Sequence, residues 1–72
     1  MTNEVWVLPE GGNFAVEFYS EGRWLRKAQY GKEKDMKVLA RTFSSMNTVR
    51  VVEVSRYDPH PPVKVVFYME AK

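Results

Sequence analysis

The chain has 72 residues, with 11 Lys and Arg against 9 Asp and Glu, one His and no Cys, so its formal net charge is +2. That length holds one small domain, residues 1–72, which buries only about 60% of the surface its unfolded chain exposes. No disulfide framework, thiol nucleophile, Cys-ligated zinc or multi-His metal site can be built, and 44% hydrophobic with 14% aromatic residues is too apolar for a disordered tail.

Residues 1–12 show no basic segment leading into an apolar run of signal-peptide length. No apolar stretch approaches the roughly 20 residues that span a bilayer. A natural start at Met1 and a soluble, cytoplasmic location without membrane association are therefore expected. Residues 4–8 are rich in strand formers and end at Pro9-Glu10-Gly11-Gly12. Residues 13–19 alternate, with Phe14, Val16 and Phe18 on one face and Asn13, Glu17 and Tyr19 on the other. Ser20-Glu21-Gly22 reads as a three-residue hairpin loop with a left-handed Gly. Residues 23–30 form the return strand, in which Leu25 and Ala28 fall out of phase and point to a bulge or early fraying.

Residues 32–46 are the helix candidate. Met36, Leu39, Ala40, Phe43 and Met46 make one apolar stripe, and Lys34, Lys37 and Arg41 face elsewhere. Gly31 is a candidate cap, Glu33 and Asp35 suit the positive end of the helix dipole, and Asn47 suits a left-handed stop. Residues 48–57 read as a long strand with Val49 and Val51 on one side and Val52 and Val54 on the other. Either both of its faces are partly covered, or a bulge near Val51-Val52 switches phase. Asp58-Pro59-His60-Pro61-Pro62 is a stiff connection. Residues 63–71 alternate, with Val63, Val65, Phe67, Met69 and Ala71 on one face. This β-β-β-α-β-β order predicts an α+β fold: a small antiparallel or mixed sheet with one amphipathic helix packed on one face and the other face open.

The charges are segregated. Residues 1–22 sum to −4, residues 23–41 to +5 and the remainder to +1. One reading is an ordinary solvated helix face with cross-strand pairs such as Glu17 and a nearby base. The other is an electrostatic docking surface for an acidic protein patch or nucleic acid, although a dedicated nucleic-acid binder carries more excess positive charge. Phe14, Phe18, Phe43 and Phe67 fit the core. Tyr19, Trp24, Arg26 and Tyr68 fall on the uncovered face, where they suit base stacking or a protein hot spot. The alternative is that Trp and Tyr simply close the edges of a thin core.

The residues supply little chemistry for catalysis. His60 is a lone loop histidine, Gly11-Gly12 lacks the Lys-Ser/Thr continuation of a phosphate loop, and Glu33 and Asp35 sit two apart on different helix faces. No enzyme, cofactor or metal is expected. The proline-rich connection is either a rigid hairpin tie or a preordered segment offered to a partner at low entropy cost.

In size, element order and lack of catalytic chemistry the whole chain resembles small phage-encoded host-takeover proteins: inhibitors and antiterminators of bacterial RNA polymerase, and anti-CRISPR inhibitors. No single motif carries the resemblance, so no family site is transferred. It implies a non-enzymatic protein-binding regulator that docks on a host machine, foremost bacterial RNA polymerase, and modulates transcription, with nucleic-acid contact through basic residues. The expected partner-binding residues are Trp6, Trp24, Arg26, Lys27, Arg56 and Tyr57. The competing expectations are a single-strand RNA- or DNA-binding sheet and a small homodimeric structural protein paired through an edge strand, the chain otherwise being a monomer or weak dimer.

Overall fold

The computed structural model describes residues 11–72. Among them four strands and one helix follow in the order β1 (Phe14–Ser20), β2 (Arg23–Gly31), α1 (Glu33–Phe43), β3 (Val49–Val54) and β4 (Pro62–Met69). The strand expected at residues 4–8, and with it Trp6, lies outside the described residues. The strand order is β2-β1-β3-β4 and every neighbouring pair is antiparallel. The fold is α+β, with α1 carrying the chain from the β2 edge past β1 to β3.

The expected alternation in β1 is observed. Val16 is buried against Met36, Ala40, Val49 and Val51, with Phe14, Phe18, Leu39, Phe43, Val66, Phe67 and Met69 packed around this cluster. Ala15, Val52 and Val54 form a second buried cluster with Tyr30 against it. The pairing of β1 with β3 runs without a register shift from Phe14↔Glu53 to Phe18↔Val49. Both faces of β3 are therefore covered, and no phase switch occurs within it. Its four valines are essentially inaccessible, each worth roughly 1.5–3 kcal/mol of burial. The helix side is a layer of valines rimmed by partly buried aromatics.

Several boundaries differ from expectation for identifiable reasons. The β1–β2 loop has two residues, because Ser20 pairs with Arg23. Glu21 (φ 53°) and Gly22 (φ 80°) both take positive φ, as the twist-matching type I′ hairpin turn requires. The bulge in β2 lies between Arg26 and Tyr30, and side-chain parity is regained beyond it. Lys32, not Gly31, is the N-cap. Gly31 serves packing instead, since a Cβ there would sit 2.7 Å from Met36 Cε.

The helix stops at Phe43, three residues before the expected end. The Ser44 and Ser45 hydroxyls donate to the Arg41 and Thr42 carbonyls (2.7 and 3.2 Å), competing with helical continuation. The Met46 and Asn47 amides both donate to the Phe43 carbonyl at 3.1 Å. Asn47 has no positive φ, so it is not a left-handed stop, and Met46 leaves the apolar stripe to become 83% exposed.

Strand β3 ends at Val54 rather than at residue 57. Asn13 closes it, its carbonyl accepting from the Val54 amide (2.9 Å) and its side-chain amide donating to the Val54 carbonyl (3.2 Å). The Tyr57 amide then donates to the Ser55 hydroxyl, turning the chain. Strand β4 does not alternate cleanly, because its register against β3 shifts twice. Phe67 and Met69 reach the helix-side cluster, whereas Val63 and Val65 remain exposed.

Candidate docking surface

The sheet register assembles the face away from α1. Arg26, Glu17, Arg50 and Tyr68 are successive cross-strand partners on β2, β1, β3 and β4, forming one row across the sheet. Trp24 lies opposite Tyr19 in the adjacent row.

Glu17 is the hub, only 5% exposed. Its Oε2 accepts from Arg26 Nε (2.9 Å) and lies 2.7 Å from Nη2 of the same ion pair. Its Oε1 accepts from Arg50 Nε (2.7 Å) and lies 2.7 Å from Nη2 of the same ion pair. Burying a carboxylate this deeply costs solvation, and such pairing offsets that cost. Two charge-assisted hydrogen bonds and two close ion-pair contacts tie both guanidiniums to it. Structurally Glu17 is an anchor for both arginines.

The two arginines extend the network in opposite directions. Arg50 lies over the Trp24 ring, 4.3 Å from the guanidinium carbon to the centroid, a cation–π distance. Trp24 also meets Tyr19 edge-on (centroids 5.2 Å, 69°) and Tyr68 edge-on (6.3 Å, 71°), favourable geometries for aromatic quadrupoles. Tyr19 and Tyr68 are 46% and 54% exposed. The other arginine, Arg26, donates to the Tyr30 hydroxyl (3.3 Å), to the Pro59 carbonyl and to the His60 carbonyl (3.0 Å). Burial by itself would lower the Arg26 pKa, but the hydrogen bonds with Tyr30 and Glu17 and the Glu17 charge outweigh it and raise the value. The guanidinium therefore stays charged at any working pH.

This corrects the expectation of a fully open face. At one end Ala15, Val52 and Val54 are buried with Tyr30 against them, and Arg26 ties down the proline segment through a buried Pro59. At the other end the Tyr19, Trp24 and Tyr68 rings reach solvent.

The expected binding residues divide accordingly. Trp24 and Arg26 lie on this face, joined through Glu17 and Arg50. Lys27 does not join them, because its ammonium sits on the helix side, 4.6 Å from the Phe43 ring centroid and 5.8 Å from that of Phe18. Arg56 and Tyr57 belong to the connection after β3, where Tyr57 is 71% exposed. Arg50 was absent from the expected set. Its position follows from β3 lying beside β1, which no local pattern announces. The helix cations Lys34, Lys37 and Arg41 lie on the opposite side of the molecule, sharing a surface with Val38.

Among the described residues no helix is long and apolar enough to cross a membrane, and no group of three or more His, Asp or Glu is placed to hold a metal ion. Compared with protein-family models, curated proteins and solved structures, the chain finds no match in any of the three.

Proposed function

We propose that this chain is a non-enzymatic protein-binding regulator that docks through the exposed Tyr19–Trp24–Tyr68 end of its sheet. The observation that carries this reading is Trp24 held between two half-exposed tyrosines and a guanidinium that Glu17 fixes from below. Trp, Tyr and Arg dominate protein hot spots, and side chains ordered before encounter lose little entropy on binding.

The same geometry weighs against base stacking. Both guanidiniums of the face are engaged by one carboxylate, and Lys34, Lys37 and Arg41 lie on the far side, too distant to neutralise phosphates of a strand stacked on Trp24. The target is proposed from the resemblance to phage regulators: bacterial RNA polymerase, modulated by occupation of one of its surfaces, as inhibitor or antiterminator.

The test is binding of the purified chain to purified bacterial RNA polymerase by interferometry. We expect saturable binding, weakened at least about a hundredfold by Trp24→Ala, the loss of a hot-spot anchor, and by a smaller factor by Tyr68→Ala, whose ring is half-exposed. No binding by the wild type removes the polymerase as target. Undiminished binding by both variants removes the surface. Oligothymidylate binding that quenches tryptophan emission and is lost with salt would favour the nucleic-acid reading instead.

A further inference from the structure

We infer that the outer surface of α1 is a second docking surface, shaped for an acidic protein segment that carries an aliphatic side chain between its carboxylates. The inference stands apart from the sheet-face reading, since it concerns the opposite side of the molecule.

Helical periodicity accounts for the inward residues. Met36 and Ala40 are buried, and Leu39 and Phe43 pack beside them. It does not account for Val38, an aliphatic residue 56% exposed on the outer face. A β-branched residue is no aid to helix propensity, so neither packing nor propensity explains it there.

Its neighbours are charged. Glu33, Lys34, Lys37 and Arg41 line with it one shallow concavity of about 490 Å³. Lys37 already holds Glu33, Nζ to Oε2 2.6 Å. Among the described residues neither Lys34 nor Arg41 forms an ion pair. The Arg41 guanidinium rests over the Phe67 ring at 5.4 Å, which limits its wandering without neutralising it.

The arrangement is an apolar spot with an unneutralised cation toward either end. Seven helical steps carry the chain from Lys34 to Arg41, a rise of about 10 Å. A matching segment presents carboxylates about that far apart, with a Leu, Ile or Val side chain seated on Val38 between them. Arg41 is suited to paired bonds with a carboxylate.

Charge also decides against a nucleic acid. A continuous row of phosphates laid along this surface meets Glu33 and Asp35 in the first turn, where a protein segment can place its carboxylates at the cations alone. The exposed Val38 offers nothing to a phosphate chain, and the net charge of +2 is low for a dedicated binder.

The test uses a short fluorescein-labelled peptide with a central leucine flanked by aspartates and glutamates, the same peptide with serine at the centre, and labelled oligothymidylate. Each is titrated with the full chain by fluorescence anisotropy at low and at physiological salt. We expect the leucine peptide to bind at low salt and to weaken as salt rises. The double variant Lys34→Glu with Arg41→Glu, at exposed positions that leave the core intact, should cost at least about tenfold in affinity. Val38→Ser should weaken the leucine peptide severalfold while leaving the serine peptide unchanged, a coupling that general attraction to a basic surface cannot produce. The proposal is overturned if the leucine peptide fails to bind at low salt, if Val38→Ser affects both peptides alike, or if oligothymidylate binds more tightly than the peptide in a manner lost in the charge-reversal variant. None of these outcomes depends on the polymerase, so failure here and failure of the sheet-face reading are distinguishable.

Discussion

Glu17 is the residue on which the sheet face depends. It sits where a half-buried strand would ordinarily place an apolar or solvated group, yet it is nearly inaccessible and holds two guanidiniums. Replacing it with Gln keeps the shape but removes the charge, leaving Arg26 and Arg50 to face each other across a partly buried row. Breaking a fully buried pair costs about 3–5 kcal/mol. Both arginine side chains keep nearly a fifth of their exposure, so we expect Glu17→Gln to cost about 2–3 kcal/mol, read as a lowered urea midpoint with an unchanged slope. In a domain of this size that is a large share of the total stability. The alternation of β1 made the facing of Glu17 legible in the sequence, and a basic partner was foreseeable. That the partners are two, on β2 and β3, was not, because Arg50 is brought alongside by strand order rather than by any local spacing.

The helix and its approach show which parts of an element a sequence announces. The apolar spacing of Met36, Leu39, Ala40 and Phe43 specified α1 and the face it buries, and these residues are where that spacing places them. The ends were not legible, for two physical reasons. At the C-terminus, serine hydroxyls captured carbonyls that a longer helix would have used. At the N-terminus, Gly31 looked like a cap because glycine often is one, whereas its function is steric: the Met36 thioether passes over its Cα. Gly31→Ala therefore drives a methyl group into a buried side chain that must swing aside. We expect a loss of about 1–2 kcal/mol, within the usual cost of overpacking, and a larger one for Gly31→Val, both measured by thermal melting. Relief of the alanine variant by Met36→Ala would trace the loss to this contact. The same limits apply to β4, where the hydrophobic pattern suggested one clean face. Two register shifts against β3 separate Phe67 and Met69 from Val63 and Val65 instead.

At the scale of the molecule, the order β2-β1-β3-β4 puts the deeply buried strand β3 inside the sheet and leaves β2 and β4 as edges among the described residues. An exposed edge is a template for a second chain, and Val63 and Val65 would strengthen that tendency. Strand β4 counters it with Pro62 at its start, Lys64 in its course and two register irregularities, the features by which sheets discourage edge pairing. We expect light scattering to give the mass of one 8.4 kDa chain across a wide concentration range, with a rising mass on replacing Lys64 by Val. The two surfaces proposed above lie on opposite sides of one thin sheet, so a single chain has the geometry to contact two partners at once. The ring cluster has an optical consequence as well. An indole with phenol rings at 5.2 and 6.3 Å collects their excitation energy, and its emission moves to the blue when water leaves it. Once Trp6→Phe silences the other fluorophore, the colour and intensity of Trp24 report occupancy of that face directly, without a label.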